Sequence, residues 1–129
     1  MILVDTNIVI AAIRSADPSK LIDLLQLHGG AVCGVVRAEL LHGARSPAER
    51  QKAMAMLGTL GTVLTPEAIW DDVGDNLSAL RGQGVTVPFP DAVIATLAIS
   101  NGIALWTRDG HFAIIQRALP SLKLFQEPP

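Results

Sequence analysis

The chain alternates between short unbroken apolar runs and longer stretches in which apolar residues recur at helical spacing. Ile2-Leu3-Val4 is short enough for a buried strand, and it gives way to Asp5-Thr6-Asn7, where Thr6 and Asn7 suit the cap of a helix over Ile8–Ile13. Asp17-Pro18 signals a second helix start, and Leu21, Leu24, Leu25 and His28 form a stripe that Gly29-Gly30 ends. Ala31-Val32-Cys33-Gly34 predicts a second strand, followed by helical spacing from Val35 to Ala44 with Val36, Leu40 and Gly43 on one side and Glu39 beside them. Ser46-Pro47 with Glu49 opens a helix to about Leu57. Gly61–Thr65 predicts a third strand, and Thr65-Pro66-Glu67 a helix in which Ile69, Val73, Leu77 and Leu80 share a face while Asp71, Asp72 and Asp75 fall off it.

After the Gly/Pro-rich connection from Gly82 to Pro90, the run from Asp91 to about Ser100 is apolar almost all round, which marks a central helix stopped by Asn101-Gly102. Ile103–Trp106 predicts a fourth strand, Gly110–Ala118 a short helix and Leu122–Phe125 a fifth strand, with a frayed end at Glu127-Pro128-Pro129. Strands alternating with helices imply an α/β fold. The expected form is a three-layer sandwich with a mostly parallel sheet of about five strands flanked by helices, because parallel strands need crossovers that cover both faces. No repeat or internal linker divides it, so residues 1–129 are read as a single domain.

In such sheets ligands bind off the carboxyl ends of the strands. Asp5 and Asp109 fall at two of those ends, and Asp91 falls in the first turn of a helix, where the dipole favours an anion. Glu39 sits in the helix after the second strand. Carboxylates gathered at one edge without a cation would repel one another and take up protons. Three acids from separate segments converging there, with Glu39 a fourth candidate, therefore look like ligands of a divalent metal. Oxygen donors with no His or Cys cluster suit Mg²⁺ or Mn²⁺, which retain waters and share phosphate oxygens with a substrate.

Composition narrows the surroundings of such a site. Half of the residues are hydrophobic and the mean hydropathy is +0.40, but no apolar run approaches the roughly 18 to 20 residues that span a bilayer. No basic leader precedes the first strand, and a cytoplasmic location with no membrane association is the expectation. Cys33 is the only cysteine, which excludes an internal disulfide and makes a thiolate metal site implausible; it is expected in the core. A net charge of −2 argues against a broad electrostatic nucleic-acid binder. Setting the four acids aside leaves eight acidic residues against ten basic ones, a balance that permits a local basic rim.

The strings Leu3-Val4-Asp5-Thr6-Asn7, Arg37-Ala38-Glu39-Leu40, Pro90-Asp91-Ala92-Val93-Ile94-Ala95 and Trp106-Thr107-Arg108-Asp109 together resemble the four acidic motifs of PIN-domain ribonucleases, and among them the VapC-type toxins of toxin-antitoxin pairs. The resemblance covers essentially the whole chain in order, spacing and length. It implies that Asp5, Glu39, Asp91 and Asp109 surround one or two Mg²⁺ or Mn²⁺ ions, with Asp5 and Asp91 as principal ligands, and that the protein hydrolyses RNA phosphodiester bonds. It also implies a cognate antitoxin as partner and a homodimer.

Thr6, Asn7 and Thr107 are candidates for hydrogen bonds that orient the carboxylates, Thr6 and Asn7 being equally suited to capping the first helix. Arg14 and Arg108 are candidates for RNA phosphates, or simply solvated surface residues. Each acid also has a plainer reading: Asp5 or Asp91 as a helix cap, Glu39 as a surface residue paired with Arg37 or His42, and Asp109 as a turn residue before Gly110. His28, His42 and His111 are scattered, with no His-x-x-x-His pair and no acid at zinc spacing, so each is read as a surface or core-edge residue and no zinc site is expected. Trp70 and Trp106, and the group Met54, Met56 and Leu57, are expected in the core. Two other functional classes compete: a PIN-like binding or scaffold module without activity, and a phosphoacceptor receiver domain, for which Lys123 is poorly placed.

Overall fold

The computed structural model describes residues 1–129. Its first strand, β1 (Ile2–Val4), is wholly buried because it is paired on both sides, in parallel with β2 (Gly30–Cys33) and with β4 (Leu105–Trp106). β3 (Gly61–Val63) pairs with the far side of β2, which gives a fully parallel sheet of order β3-β2-β1-β4. All connections are therefore crossovers, and helices supply them. They are α1 (Thr6–Arg14), α2 (Ser19–Leu27), α3 (Gly34–His42), α4 (Pro47–Thr59), α5 (Ile69–Gly82), α6 (Phe89–Asn101) and α7 (His111–Ala118). Helices α1, α3 and α4 pack on one another, as do α5, α6 and α7, and α3 meets α6.

The central helix is α6, with Ala92 through Ala98 buried without interruption. Its one buried polar residue, Thr96, is satisfied twice: the hydroxyl donates to the Ala92 carbonyl at 2.7 Å and accepts from Asn76 Nδ2 at 2.9 Å. Gly102 ends the helix at φ +63°, a left-handed conformation that glycine adopts without Cβ strain, and its N–H closes onto the last turn. Asn101-Gly102 is thus the stop that the sequence signals.

Several expectations need correction. The sheet has four strands rather than about five: Leu122–Phe125 contributes a single bridge, Leu124 to Leu105, through hydrogen bonds from Leu105 N to Lys123 O and from Phe125 N to Leu105 O, both 2.8 Å. β4 offers little more to pair with, since Ile103 N is spent on the Ala98 carbonyl at the end of α6 and Thr107 turns away into the acidic edge. The end of the chain is held rather than frayed, because Glu127 accepts from Trp106 Nε1 at 2.9 Å and from Arg108 Nε at 2.7 Å. Trp106 is fully buried as expected, whereas Trp70 is 41% exposed, lying one residue off the Ile69, Val73 and Leu80 stripe that α5 buries. In α4 the buried positions are Ala53 and Leu57, which turns Met54 outward. Helix α5 starts at Ile69 rather than at Thr65-Pro66, after a turn in which Ile69 N donates to Pro66 O at 3.0 Å. Cys33 is buried in the core, and burial pushes its thiol above the ordinary range.

Candidate functional site

The acidic edge is built outward from the register of β1 against β4. Val4 pairs with Trp106, and Asp5 N donates to Trp106 O at 2.9 Å, so Asp5 and Thr107 leave the sheet side by side. The Thr107 hydroxyl then donates to Asp5 Oδ2 at 2.7 Å, while Asp5 Oδ1 accepts from Thr6 N at 2.8 Å. Asn7 Nδ2 adds a contact of 3.3 Å to Asp5 Oδ2 and one of 3.4 Å to Thr107 Oγ1, and Asn7 Oδ1 accepts from Arg108 N at 3.2 Å. Asp5 is consequently a buried carboxylate held by donors on both oxygens. Burial pushes its carboxyl above the usual range, the Thr107 and Thr6 hydrogen bonds pull it back, and the charge of Asp109 pushes it up again.

The other acids arrive from three separate elements. α3 follows β2 with no intervening loop and carries Glu39, which accepts from Thr6 Oγ1 at 3.0 Å through Oε1 and so is tied to the first turn of α1. Asp91 is the third residue of α6, behind the cap position Pro88, and is not itself the cap. Asp109 lies three residues beyond β4; its N–H donates to Thr107 Oγ1 at 3.0 Å, and its Oδ1 accepts from His111 N at 2.9 Å at the start of α7.

Asp91 contrasts with Asp5 in that no protein group donates to its carboxylate, although its side chain is only 16% exposed. Its carboxyl is pushed up to about 6, first by burial, then by the charges of Asp109 and Asp5, with His111 pulling the other way and Glu39 adding to the rise. All four acids therefore share one electrostatic neighbourhood, and the two most separated in sequence, Asp5 and Asp109, act on each other as well as on Asp91. A half-buried carboxylate without donors, amid three further negative charges, is chemistry suited to a hard dication.

The hydrogen-bonding candidates Thr6, Asn7 and Thr107 all touch an acid or its anchor, and Asp5 also performs the capping contact to α1. The two arginines are engaged elsewhere. Arg14 forms a two-pronged pair with Glu49, at 2.8 Å and 3.3 Å, and Arg108 does the same with Glu127, at 2.7 Å and 3.1 Å. Neither guanidinium is a free cation at the acidic edge.

His111, expected as a surface or core-edge residue, is exposed and also borders this cluster, with Nδ1 3.2 Å from Asp109 Oδ1 and 3.9 Å from Asp91 Oδ2. The signal for it is local. Asp109-Gly110-His111 places an acid two residues before an imidazole at a helix start, a spacing that a search for paired histidines passes over.

An α/β fold with a carboxylate cluster beyond the C-terminal ends of a parallel sheet defines the class, and the family model for the PIN domain matches residues 2–118. The chain belongs to the PIN-domain family. Within it the likeness is to VapC-type toxins: VapBC2 from Rickettsia felis, solved bound to a promoter DNA fragment, superposes with a TM-score of 0.81 at 25% identity, over 97% of this chain and 98% of that one. DNA-bound VapBC from Salmonella typhimurium gives 0.79 at 21% identity over 96% of each chain, and FitAcB from Neisseria gonorrhoeae 0.70 at 20% identity over 98% and 97%. These last two share the fold. No curated protein matches the chain.

Proposed function

We propose that this PIN domain is a metal-dependent endoribonuclease acting as the toxin of a type II toxin-antitoxin pair. The observation that carries the reading is the gathering of Asp5, Glu39, Asp91 and Asp109 from four elements into one field, with Asp91 left without a protein donor. Asp5 and Asp91 would be the principal ligands of Mg²⁺ or Mn²⁺, with Glu39 and Asp109 completing the set. Such an ion, when bound, acidifies a water and offsets charge on a phosphodiester under attack.

The chain's own residues supply the frame. Thr107 and Asn7 meet Oδ2 of Asp5 and Thr6 N meets Oδ1, which keeps a further lone pair, so the carboxylate is held in one orientation. Thr6 does the same for Glu39, linking its position to that of Asp5 through one residue. Asn7 ties Asp5 to the Thr107-Arg108 turn, and that turn positions Asp109. Displacing one of these would move two acids at once.

A cognate antitoxin as partner is supported by the VapBC complexes among the similar structures. RNA as substrate, self-association as a homodimer and a cytoplasmic location follow from the VapC-type likeness; no helix is long and apolar enough to cross a membrane. The test is cleavage of structured RNA by the purified chain. Activity should require Mg²⁺ or Mn²⁺, vanish in EDTA and return when the ion is restored, whereas undiminished cleavage in EDTA would reject the metal-dependent reading.

A further inference from the structure

His111 opens α7, and its backbone N–H is committed to Asp109 Oδ1 at 2.9 Å. That bond folds the residue back on the carboxylate two positions before it, and it brings imidazole Nδ1 to 3.2 Å from Asp109 Oδ1 and 3.9 Å from Asp91 Oδ2. One oxygen from each acid and one ring nitrogen lie within 4.8 Å of one another. In an octahedron with metal–ligand bonds of about 2.1 Å, adjacent donors stand about 3 Å apart and opposite donors about 4.2 Å apart. The two nitrogen–oxygen separations fall in that span. Nδ1 stands at ion-pair distance from both carboxylates, and Asp109 Oδ1 also accepts from His111 N, so a bound cation would take the place of the proton of a charged imidazole between the two acids. The group runs from the half-buried Asp91, 16% exposed, to His111, 58% exposed, and so reaches from the core to solvent.

The other histidines have different surroundings. His28 packs edge-on against Phe125 at 4.7 Å between ring centres, and His42 ends α3 on the surface.

We propose that His111 supplies an imidazole nitrogen to the cation held by Asp91 and Asp109, turning an all-oxygen site into a mixed nitrogen and oxygen site that favours first-row transition dications over Mg²⁺. This inference rests on the metal-dependent reading above. Mg²⁺ sheds water reluctantly and gains little from imidazole, whereas the later dications accept nitrogen readily. Mn²⁺ is the mildest of that series and still takes carboxylate and water ligands, so it is the stringent probe.

The test uses the full chain freed of metal by a chelator and then dialysed. Binding of Mn²⁺ and of Mg²⁺ is measured by calorimetry, and pulsed electron paramagnetic resonance of the Mn²⁺-loaded protein reads ¹⁴N coupling. The wild type should bind Mn²⁺ at least about tenfold more tightly than Mg²⁺ and show directly bonded nitrogen. His111→Gln should weaken Mn²⁺ binding by about tenfold, leave Mg²⁺ binding within about twofold and abolish the nitrogen signal; Asp91→Asn should weaken both ions. If the wild type binds both ions without a ¹⁴N signal, or His111→Gln binds Mn²⁺ as the wild type does, the inference is overturned while the acidic metal site stands. If the wild type binds neither ion, both fall. The nitrogen signal of the wild type decides the matter even should the variant fold poorly.

Discussion

Asp5 and Asp91 belong to one acidic edge but are built in opposite ways. Asp5 is fixed by the sheet: the β1–β4 register sets its backbone, and three protein donors set its carboxylate. Asp91 is delivered by a helix and receives no donor, and burial, followed by the like charges around it, drives its carboxyl up to about 6. The difference shows how such an edge divides its tasks. One acid carries a protein-defined orientation, and the other keeps its lone pairs for whatever neutralises the cluster.

The largest effect expected from breaking this contrast is on catalysis. Asp5→Asn keeps the shape and the bond from Thr107 but replaces one ligand oxygen with an amide, and RNA cleavage in Mg²⁺ should fall by about 10²–10³-fold. Cleavage at the wild-type rate would show that Asp5 is only a helix cap. Next comes the orientation itself. Thr107→Val removes the donor to Asp5 Oδ2 and the acceptor of Asp109 N together, so metal affinity measured by calorimetry should drop about 10- to 100-fold, with Thr107→Ser restoring most of it. Equal affinities for valine and threonine would mean that the sheet, Thr6 N and Asn7 orient Asp5 without Thr107.

How far this contrast can be read without coordinates depends on the kind of interaction. The end of β1 is legible because an apolar run followed by an acid is a local pattern, and Asn101-Gly102 announces its own left-handed stop, whereas α6 begins at Phe89, two residues before the Asp91 start that the sequence suggests. Asp5, Asp91 and Asp109 stand out as candidates that way, whereas Glu39 lies within α3 and stands out only through the motif resemblance. Thr107 as a partner of Asp5 is 102 residues away and follows only from the β1–β4 register, which periodicity does not specify. The place of His111 beside the acids escaped because it depends on how α7 begins, and that of Glu127 because Pro128-Pro129 suggest a loose end while the carboxylate is drawn to Trp106 and Arg108. The partners of the arginines are hidden for a similar reason: Arg14 and Arg108 look free in sequence, and each is met by a distant glutamate.

A smaller effect, on stability, separates Asp91 from Asp5. Because the folded Asp91 carboxyl is raised from 3.8 to about 6, the native protein holds the extra proton between those values, and stability is lost as pH rises through that window. A shift of this size corresponds to about 3 kcal/mol, which screening in a partly solvated site reduces to about 1–2 kcal/mol. Asp91→Asn should therefore stabilise the chelator-treated protein above pH 6, and the gain should fade below pH 4. The same variant should lose the rise in melting temperature that Mg²⁺ gives the wild type. A variant less stable than the wild type at pH 8 would contradict the account of Asp91 as a carboxylate raised by burial and by its like-charged neighbours.

The smallest effect concerns the tail that buttresses the strand side. Glu127 is held below the usual carboxylate range, first by the hydrogen bonds from Arg108, then against the cost of burial by that from Trp106. A carboxyl lowered on folding contributes stability that is present above its unfolded value and is lost as pH falls through the folded one. The pair is partly exposed, so Glu127→Gln should cost only about 0.5–1 kcal/mol at pH 7 by denaturant unfolding, with the difference from wild type closing below pH 4. Arg108 N remains bonded to Asn7 Oδ1 whatever its side chain does, and the Thr107 bond to Asp5 does not pass through Glu127. Metal affinity in Glu127→Gln should accordingly stay within about twofold of wild type. A tenfold loss would place the tail inside the framework that orients Asp5, and the strand side would then owe its rigidity to the chain terminus as much as to the sheet.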